Sequence, residues 1–155
     1  IRALKASLKD IDQTINKQLS AFSITLTSIK GIGDVYAAGI FAEIGDINCF
    51  PSEAQVARYA GLVWKRHQSG NFQAQKTRLD QHSNAYLRYY LVEAADSLRR
   101  HNPEYRAYYR KKYAEVTKHQ HKRALVLTAR KLVRLVDALL RTNRLYQLKM
   151  PVPTA

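Results

Sequence analysis

Leu26-Thr27-Ser28-Ile29-Lys30-Gly31-Ile32-Gly33-Asp34-Val35-Tyr36-Ala37-Ala38-Gly39-Ile40-Phe41-Ala42-Glu43-Ile44-Gly45 is the stretch that sets the fold class. Its apolar start predicts a short helix ending at Lys30. Gly31-Ile32-Gly33 then makes a tight turn, Asp34 caps, and a second helix runs from Val35 to about Ile44. This is a helix-hairpin-helix pattern. Two glycines let the backbone approach a phosphate closely, and N–H groups at the following helix N-terminus bind it. Ile32 is expected to point into the core and pin the turn, and Ala37 and Ala38 stand in the right register. Such a turn reads phosphates and not bases. Lys30, Gly31 and Gly33 are therefore candidate DNA-backbone contacts. The same residues also fit a hairpin used for packing alone or facing a protein partner, and Asp34 works against an anion there.

On the N-terminal side, Ile1, Leu4, Leu8, Ile11, Ile15 and Phe22 recur at three- and four-residue steps, broken at Gln18. That is an a/d seam. It predicts the end of a coiled-coil helix over residues 1–22, or an amphipathic helix packed on its own domain. The chain begins at Ile1 and not Met, so it is expected to be a fragment or a processed product.

On the C-terminal side, Gly45 stops the second helix, and Phe50-Pro51-Ser52-Glu53-Ala54-Gln55 starts a third. Ser52 is the expected cap and Gln55 completes a capping box. Val56, Tyr59 and Ala60 are its expected inner face, and Gly61 ends it. From Gly61 to Arg78 the helical period disappears. This segment carries Lys65, Arg66, Lys76 and Arg78 with no acid. Alternation at Leu62, Trp64, Phe72 and Ala74 allows a small β-hairpin turning at Ser69-Gly70-Asn71. A connection this long in a compact domain forms its own element or has a task. The plain alternative is a solvated basic hairpin that links two helices.

Helices resume at residues 83–101, capped by Ser83 or Asn84, with Leu87, Tyr90, Leu91, Ala94, Ala95 and Leu98 as the stripe. Arg88 lies off that stripe and is a further candidate DNA contact. Asn102-Pro103 breaks the chain. A helix of about 104–117 places Tyr105, Tyr108, Tyr109 and Tyr113 beside Arg106, Arg110, Lys111 and Lys112. Tyrosines at helical spacing more often pack than stack on bases. The last helix runs from His119 to about Arg141 on Leu125, Ala129, Leu132, Val136 and Leu139. Residues 145–155, with Pro151 and Pro153, read as a loose tail.

The chain has 155 residues and a net charge of +14. Residues 1–60 balance six basic against six acidic residues. Residues 61–155 hold 20 basic and 6 acidic residues, so the whole excess follows Gly61. A polyanionic partner is the simplest reading, and tyrosines spread among the cations over several helices suit nucleic acid better than a membrane surface. No run approaches the ~20 apolar residues of a membrane span. Cys49 is the single cysteine, which excludes an internal disulfide and fits a reducing cytosol.

Metal binding needs converging ligands. His119 and His121 lie two apart without a nearby carboxylate, and the acids of the first 60 residues are unpaired, so no metal site is expected. A tyrosine recombinase would need an Arg-His-Arg set, and no His-x-x-Arg occurs. A serine nucleophile toward DNA needs an exposed position and cations for the phosphate. Ser69, beside Gly70 and among Lys65, Arg66, Lys76 and Arg78, meets those conditions. His67 is a base candidate if the hairpin is regular.

Seven pieces now stand in order: Ser28-Ile29-Lys30-Gly31-Ile32-Gly33, Ala42-Glu43-Ile44-Gly45-Asp46-Ile47, Phe50-Pro51-Ser52, Tyr59-Ala60-Gly61-Leu62-Val63, Gln68-Ser69-Gly70, Asn84-Ala85-Tyr86-Leu87-Arg88 and Leu91-Val92-Glu93-Ala94-Ala95. The series resembles the C-terminal domain of the bacterial insertion-sequence-110 transposases, relatives of the Piv and MooV invertases, also called bridge-RNA recombinases. It covers about residues 22–146. The family usually has Pro at the place of Trp64, and Gly near Thr77 and at Ser83. The resemblance implies that Ser69 is the nucleophile in strand cleavage and exchange. It implies a bacterial cytoplasmic protein acting on DNA, a structured guide RNA as partner, and active sites assembled between protomers. It also implies an absent N-terminal RuvC-like domain with four metal-binding acids, so Mg²⁺ is expected there and no cofactor here.

The expectation is an all-α domain with a helix-hairpin-helix. It comprises a coiled-coil end over 1–22 that makes a homo-oligomer, a transposase domain over 23–146, and a tail over 147–155. The expected function is DNA binding and serine-nucleophile catalysis in transposition, inactive as an isolated piece. The alternatives are a non-catalytic nucleic-acid-binding or assembly module and a purely structural dimerisation domain.

Overall fold

The computed structural model describes residues 2–20, 25–65, 68–69, 72–73, 78–79 and 83–147. It is a helical domain. The helices are α1 (Arg2–Ser20), α2 (Asp34–Ile44), α3 (Glu53–Tyr59), α4 (Ala85–His101), α5 (Pro103–Ala114) and α6 (Gln120–Thr142). Between α3 and α4 lie four two-residue strands, β1 (Trp64–Lys65), β2 (Gln68–Ser69), β3 (Phe72–Gln73) and β4 (Arg78–Leu79).

The core is built from one stripe each of α2, α3, α4 and α6, joined by Tyr105 of α5. Ile40 and Ile44 of α2, Val56 of α3, Leu87, Leu91 and Leu98 of α4, and Leu132, Val133 and Val136 of α6 are buried together. Ile32 is buried as expected and anchors the turn before α2. Antiparallel packing of α2 on α4 is made close by Gly39. The Tyr90 ring lies over it so tightly that a Cβ would fall 2.6 Å from ring carbons. Asn102 is fully buried and breaks α4 from α5. Its side-chain oxygen accepts from the N–H groups of Glu104 and Tyr105, and its amide donates to the Tyr146 hydroxyl at 3.0 Å. Pro103 supplies the first turn of α5, which spends no N–H there. Glu115 joins the end of α5 to α6 through Lys112 at 2.6 Å and Arg123 at 3.1 Å, which hold its carboxyl below its ordinary range.

Several local expectations need correction. The helix expected to end at Lys30 is a single 3-10 turn, Thr25–Ser28. Its three-residue bonding continues through Ile29 N–H to Leu26 O and Ile32 N–H to Ile29 O. Asp34 is the first helical residue and not the cap. Gly33 takes the cap position without a side chain to offer. Ser52 caps α3 through its backbone, and its hydroxyl makes no capping bond. Ala57, not Tyr59, is buried with Val56 and Ala60, and Tyr59 is 42% exposed. The tail starts anchored: Tyr146 N–H donates to Ser28 Oγ at 2.8 Å. Residues 148–155 lie outside the described residues.

Gly45 and Gly61 end their helices as expected, at φ +63° and +68°. Asn84 caps α4 by accepting from Leu87 N–H at 2.9 Å. Among the described residues the apolar seam of α1 is exposed along its first three turns. Leu4, Leu8 and Ile11 are 70%, 60% and 54% exposed.

Candidate nucleic-acid site

The Ser69 segment leaves and re-enters the helical body at one point. At its entrance, Gly61 N–H donates to Arg58 O, and Leu62 N–H donates to Ala57 O at 2.8 Å. Leu62 is fully buried and fixes the departure. At its exit, Asn84 N–H donates to Tyr59 O at 2.8 Å, closing entrance onto exit. The Asn84 side chain then does three things. Its oxygen caps α4, and its amide donates to Glu43 Oε2 at 2.7 Å and to the Tyr59 hydroxyl at 3.0 Å. A donor to a carboxylate is among the stronger hydrogen bonds. Residues 59–84 are thus an excursion closed by a three-residue clamp on the ends of α2, α3 and α4.

Within the excursion the backbone pairs antiparallel, Trp64 with Leu79 and Lys65 with Arg78, then Gln68 with Gln73 and Ser69 with Phe72. Ser69 is a strand-paired position beside the expected turn. Lys65 and Arg78 face each other across β1 and β4 as backbone partners. Arg66, His67, Gly70, Asn71, Ala74 and Lys76 lie outside the described residues.

The other candidates fall into two groups. Arg88 is half-buried in the first turn of α4, beside the clamp. Lys30 and Gly33 are exposed at the opposite end of α2. That end lies about 16 Å away along the 11-residue helix α2. The turn before α2 and the loop base are therefore not brought together. Gly31, at φ +110°, packs on the end of α4. A Cβ there would meet the Cβ of His101 and the Cα of Leu98 at 3.2 Å. Gly33 faces open space. It borders a cleft of 380 Å³ between α1 and α2, lined also by Asp12, Asn16, Asp34, Val35 and Tyr36. Two carboxylates beside that helix start oppose an anion there.

The sequence offers Glu43 only as a letter of a motif, Tyr59 as an inner-face residue and Asn84 as a cap, and no motif in it joins the three. The signal that could have joined them was that each borders a helix end around the aperiodic segment. Among the described residues no three His, Cys, Asp or Glu side chains converge to hold a metal, and no helix is long and apolar enough to cross a membrane.

Residues 24–110 match the family model described as Transposase IS116/IS110/IS902 family. The chain is 28% identical over 153 residues to the insertion element IS110 uncharacterized 43.6 kDa protein of Streptomyces coelicolor, covering 97% of this chain and 37% of that one. It is 35% identical over 74 residues to the transposase for insertion sequence element IS1111A of Coxiella burnetii, covering 48% of this chain and 20% of that one. An IS116 protein of Streptomyces clavuligerus is 28% identical over 152 residues, again 97% of this chain and 37% of that one. The chain spans little more than a third of the length of the relatives it matches end to end.

Proposed function

Because the chain belongs to the IS116/IS110/IS902 transposase family, we propose that it is the DNA-binding and catalytic part of a transposase in which Ser69 attacks a phosphodiester. The Ser69 hydroxyl gives up its proton and Oγ bonds to phosphorus. The bond from phosphorus to one sugar oxygen breaks, and that oxygen leaves with a proton. The strand is then held covalently until a second sugar hydroxyl reverses the step on a new partner. Cations on the same segment, Lys65, Arg66, Lys76 and Arg78, neutralise the phosphate charge that builds up during attack. The basic half of the chain holds the nucleic acid, DNA and a guide RNA. Among the described residues no His, Cys, Asp or Glu group converges to hold a metal; in this reading any Mg²⁺ would be bound by parts of a full-length protein outside this chain.

The observation that carries this reading is the family match across residues 24–110, which contains Ser69 and all three clamp residues. The clamp supports it physically: a nucleophile needs a segment fixed at its base. The contact of Gly31 with His101 favours a second reading for one part only, that the turn before α2 is a packing device and not a phosphate cradle.

The test uses the full-length protein with Ser69→Ala. Strand exchange on a DNA substrate should fall by several orders of magnitude, with DNA affinity unchanged and no covalent protein–DNA adduct on denaturing gels. Exchange that survives in the variant leaves the chain a non-catalytic nucleic-acid-binding module.

A further inference from the structure

A second cluster of cations and aromatic rings lies at the far end of α4. The Arg99 guanidinium carbon stands 4.6 Å from the centroid of the Tyr109 ring. The rings of Tyr109 and Tyr113 are 5.9 Å apart. The His121 ring meets Tyr109 edge-on, with Nδ1 2.7 Å from the phenol oxygen. Arg106 reaches back to the carbonyls of Arg99 and Arg100, which ties α5 across the end of α4. Arg110 lies four residues after Arg106 and three before Tyr113, on the same face of α5. Tyr113 is 39% exposed, and Arg106, Arg110 and His121 are exposed. Two acids border this corner, and both are engaged: Asp96 by Arg99 at 2.6 Å and Arg100 at 3.1 Å, and Glu115 by Lys112 and Arg123. The patch therefore carries excess positive charge beside open aromatic surface.

Packing accounts for Tyr105, which is buried, and for Tyr108, which lies under Lys112 and Lys131. It does not account for Tyr113. We propose that this corner of α4, α5 and α6 binds an unpaired stretch of DNA. Bases stack on Tyr113, which Tyr109 backs from within, and phosphates lie against Arg106 and Arg110. In a duplex the base faces are already stacked, so exposed rings select the unpaired strand, whereas cations alone do not. Arg99 is fifteen residues beyond Asn84 on one helix, so the patch stands about 22 Å from the clamp. That is about six or seven nucleotides of one strand at ~3.4 Å each. The proposal rests on the transposase reading in one respect: exchange of the strand cleaved at Ser69 requires that strand to leave its partner, and the bases so unpaired have to be held.

The experiment titrates the 155-residue chain into labelled oligo-dT, the duplex of equal length and oligo-rU, by fluorescence anisotropy. Tyr113→Ala should weaken oligo-dT about tenfold and leave the duplex within twofold, and Tyr113→Phe should bind oligo-dT as the wild type does. Arg110→Ala should lower the slope of log affinity against log salt for oligo-dT by about 0.7. Circular dichroism melting of each variant controls for folding. Unchanged oligo-dT binding in Tyr113→Ala, an equal loss on single strand and duplex, or tighter binding of oligo-rU overturns the proposal. A wild type that binds duplex but not oligo-dT overturns this proposal and leaves the Ser69 reading standing. A wild type that binds no nucleic acid overturns this proposal and the nucleic-acid binding of the isolated chain, and the Ser69 reading is then decided by the full-length protein alone.

Discussion

The side-chain amide of Asn84 donates to Glu43 Oε2 at 2.7 Å, joining residues 41 apart in sequence across the antiparallel packing of α2 and α4. With Asn84 N–H on Tyr59 O, this bond closes the base of the Ser69 segment. Asn84→Asp separates its two roles. Aspartate caps a helix as well as asparagine does, but it faces Glu43 with a second carboxylate in place of a donor. The variant should lose roughly 1–3 kcal/mol. Glu43→Gln, which keeps an acceptor, should lose less than half of that. Urea denaturation measures both, and hydrogen exchange at the Asn84 amide should quicken in Asn84→Asp. An aspartate variant as stable and protected as the wild type removes the clamp.

The two glycines of the turn before α2 part company under substitution. Gly31 combines φ +110° with backbone and side-chain atoms of α4 at 3.2 Å from any Cβ. Gly31→Ala should cost about 1–3 kcal/mol from backbone strain with contact added. Gly33 has an ordinary φ of −81° and open space around it. Gly33→Ala should cost less, about 0.5–1 kcal/mol, because alanine is the poorer cap. Thermal melts of the pair decide. If Gly33→Ala weakens DNA binding by more than that small loss of stability accounts for, Gly33 serves a phosphate. Equal binding assigns the turn to packing.

Burial raises the Tyr105 phenol well above its ordinary value, with Glu104 and Tyr146 adding to the effect. A group whose folded pKa is raised holds its proton more tightly when folded. Its contribution to stability is therefore complete below the unfolded phenol value of about 10. It is lost progressively as pH climbs above that value. The urea midpoint of the wild type should fall as pH passes about 10. Tyr105→Phe should show a shallower fall over the same range, from a lower starting stability. Parallel curves would mean that Tyr105 ionises as freely folded as unfolded.

The helical architecture is legible in the sequence because its signals are local. Gly45 and Gly61 must supply positive φ, Asn84 caps, Pro103 opens a helix, and the stripe Leu87-Leu91-Ala94-Leu98 lies on one face. Caps fail where several adjacent residues satisfy one pattern. Asp34 and Ser52 both carry capping side chains, yet neither uses them, because Gly33 and backbone bonds take that work. Tyr59 fits the helical stripe but is turned outward, where its hydroxyl meets Asn84. Glu43, Tyr59 and Asn84 could be quoted as motif letters, but their convergence depends on how α2 packs against α4, which no local pattern encodes. The meeting of Tyr109 with His121 is of the same kind, since it needs the crossing of α5 and α6.

Leu4, Leu8 and Ile11 leave the apolar seam of α1 facing solvent, while its far end lies beside α2 at Asp12 and Asn16. Each fully buried leucine or isoleucine contributes about 1.5–3 kcal/mol. A second copy with the same three- and four-residue spacing would bury the seam by knobs-into-holes packing. Leu8 stands in the middle of it, exposed and outside the buried core. The wild-type chain should sediment as a concentration-dependent dimer. Leu8→Glu should sediment as a monomer with an unchanged melting transition at low protein concentration, because α1 adds nothing to the core there. DNA binding of the monomeric variant should weaken through lost bivalency and not through lost contacts. A wild type that remains monomeric at every concentration removes the seam as an interface between copies.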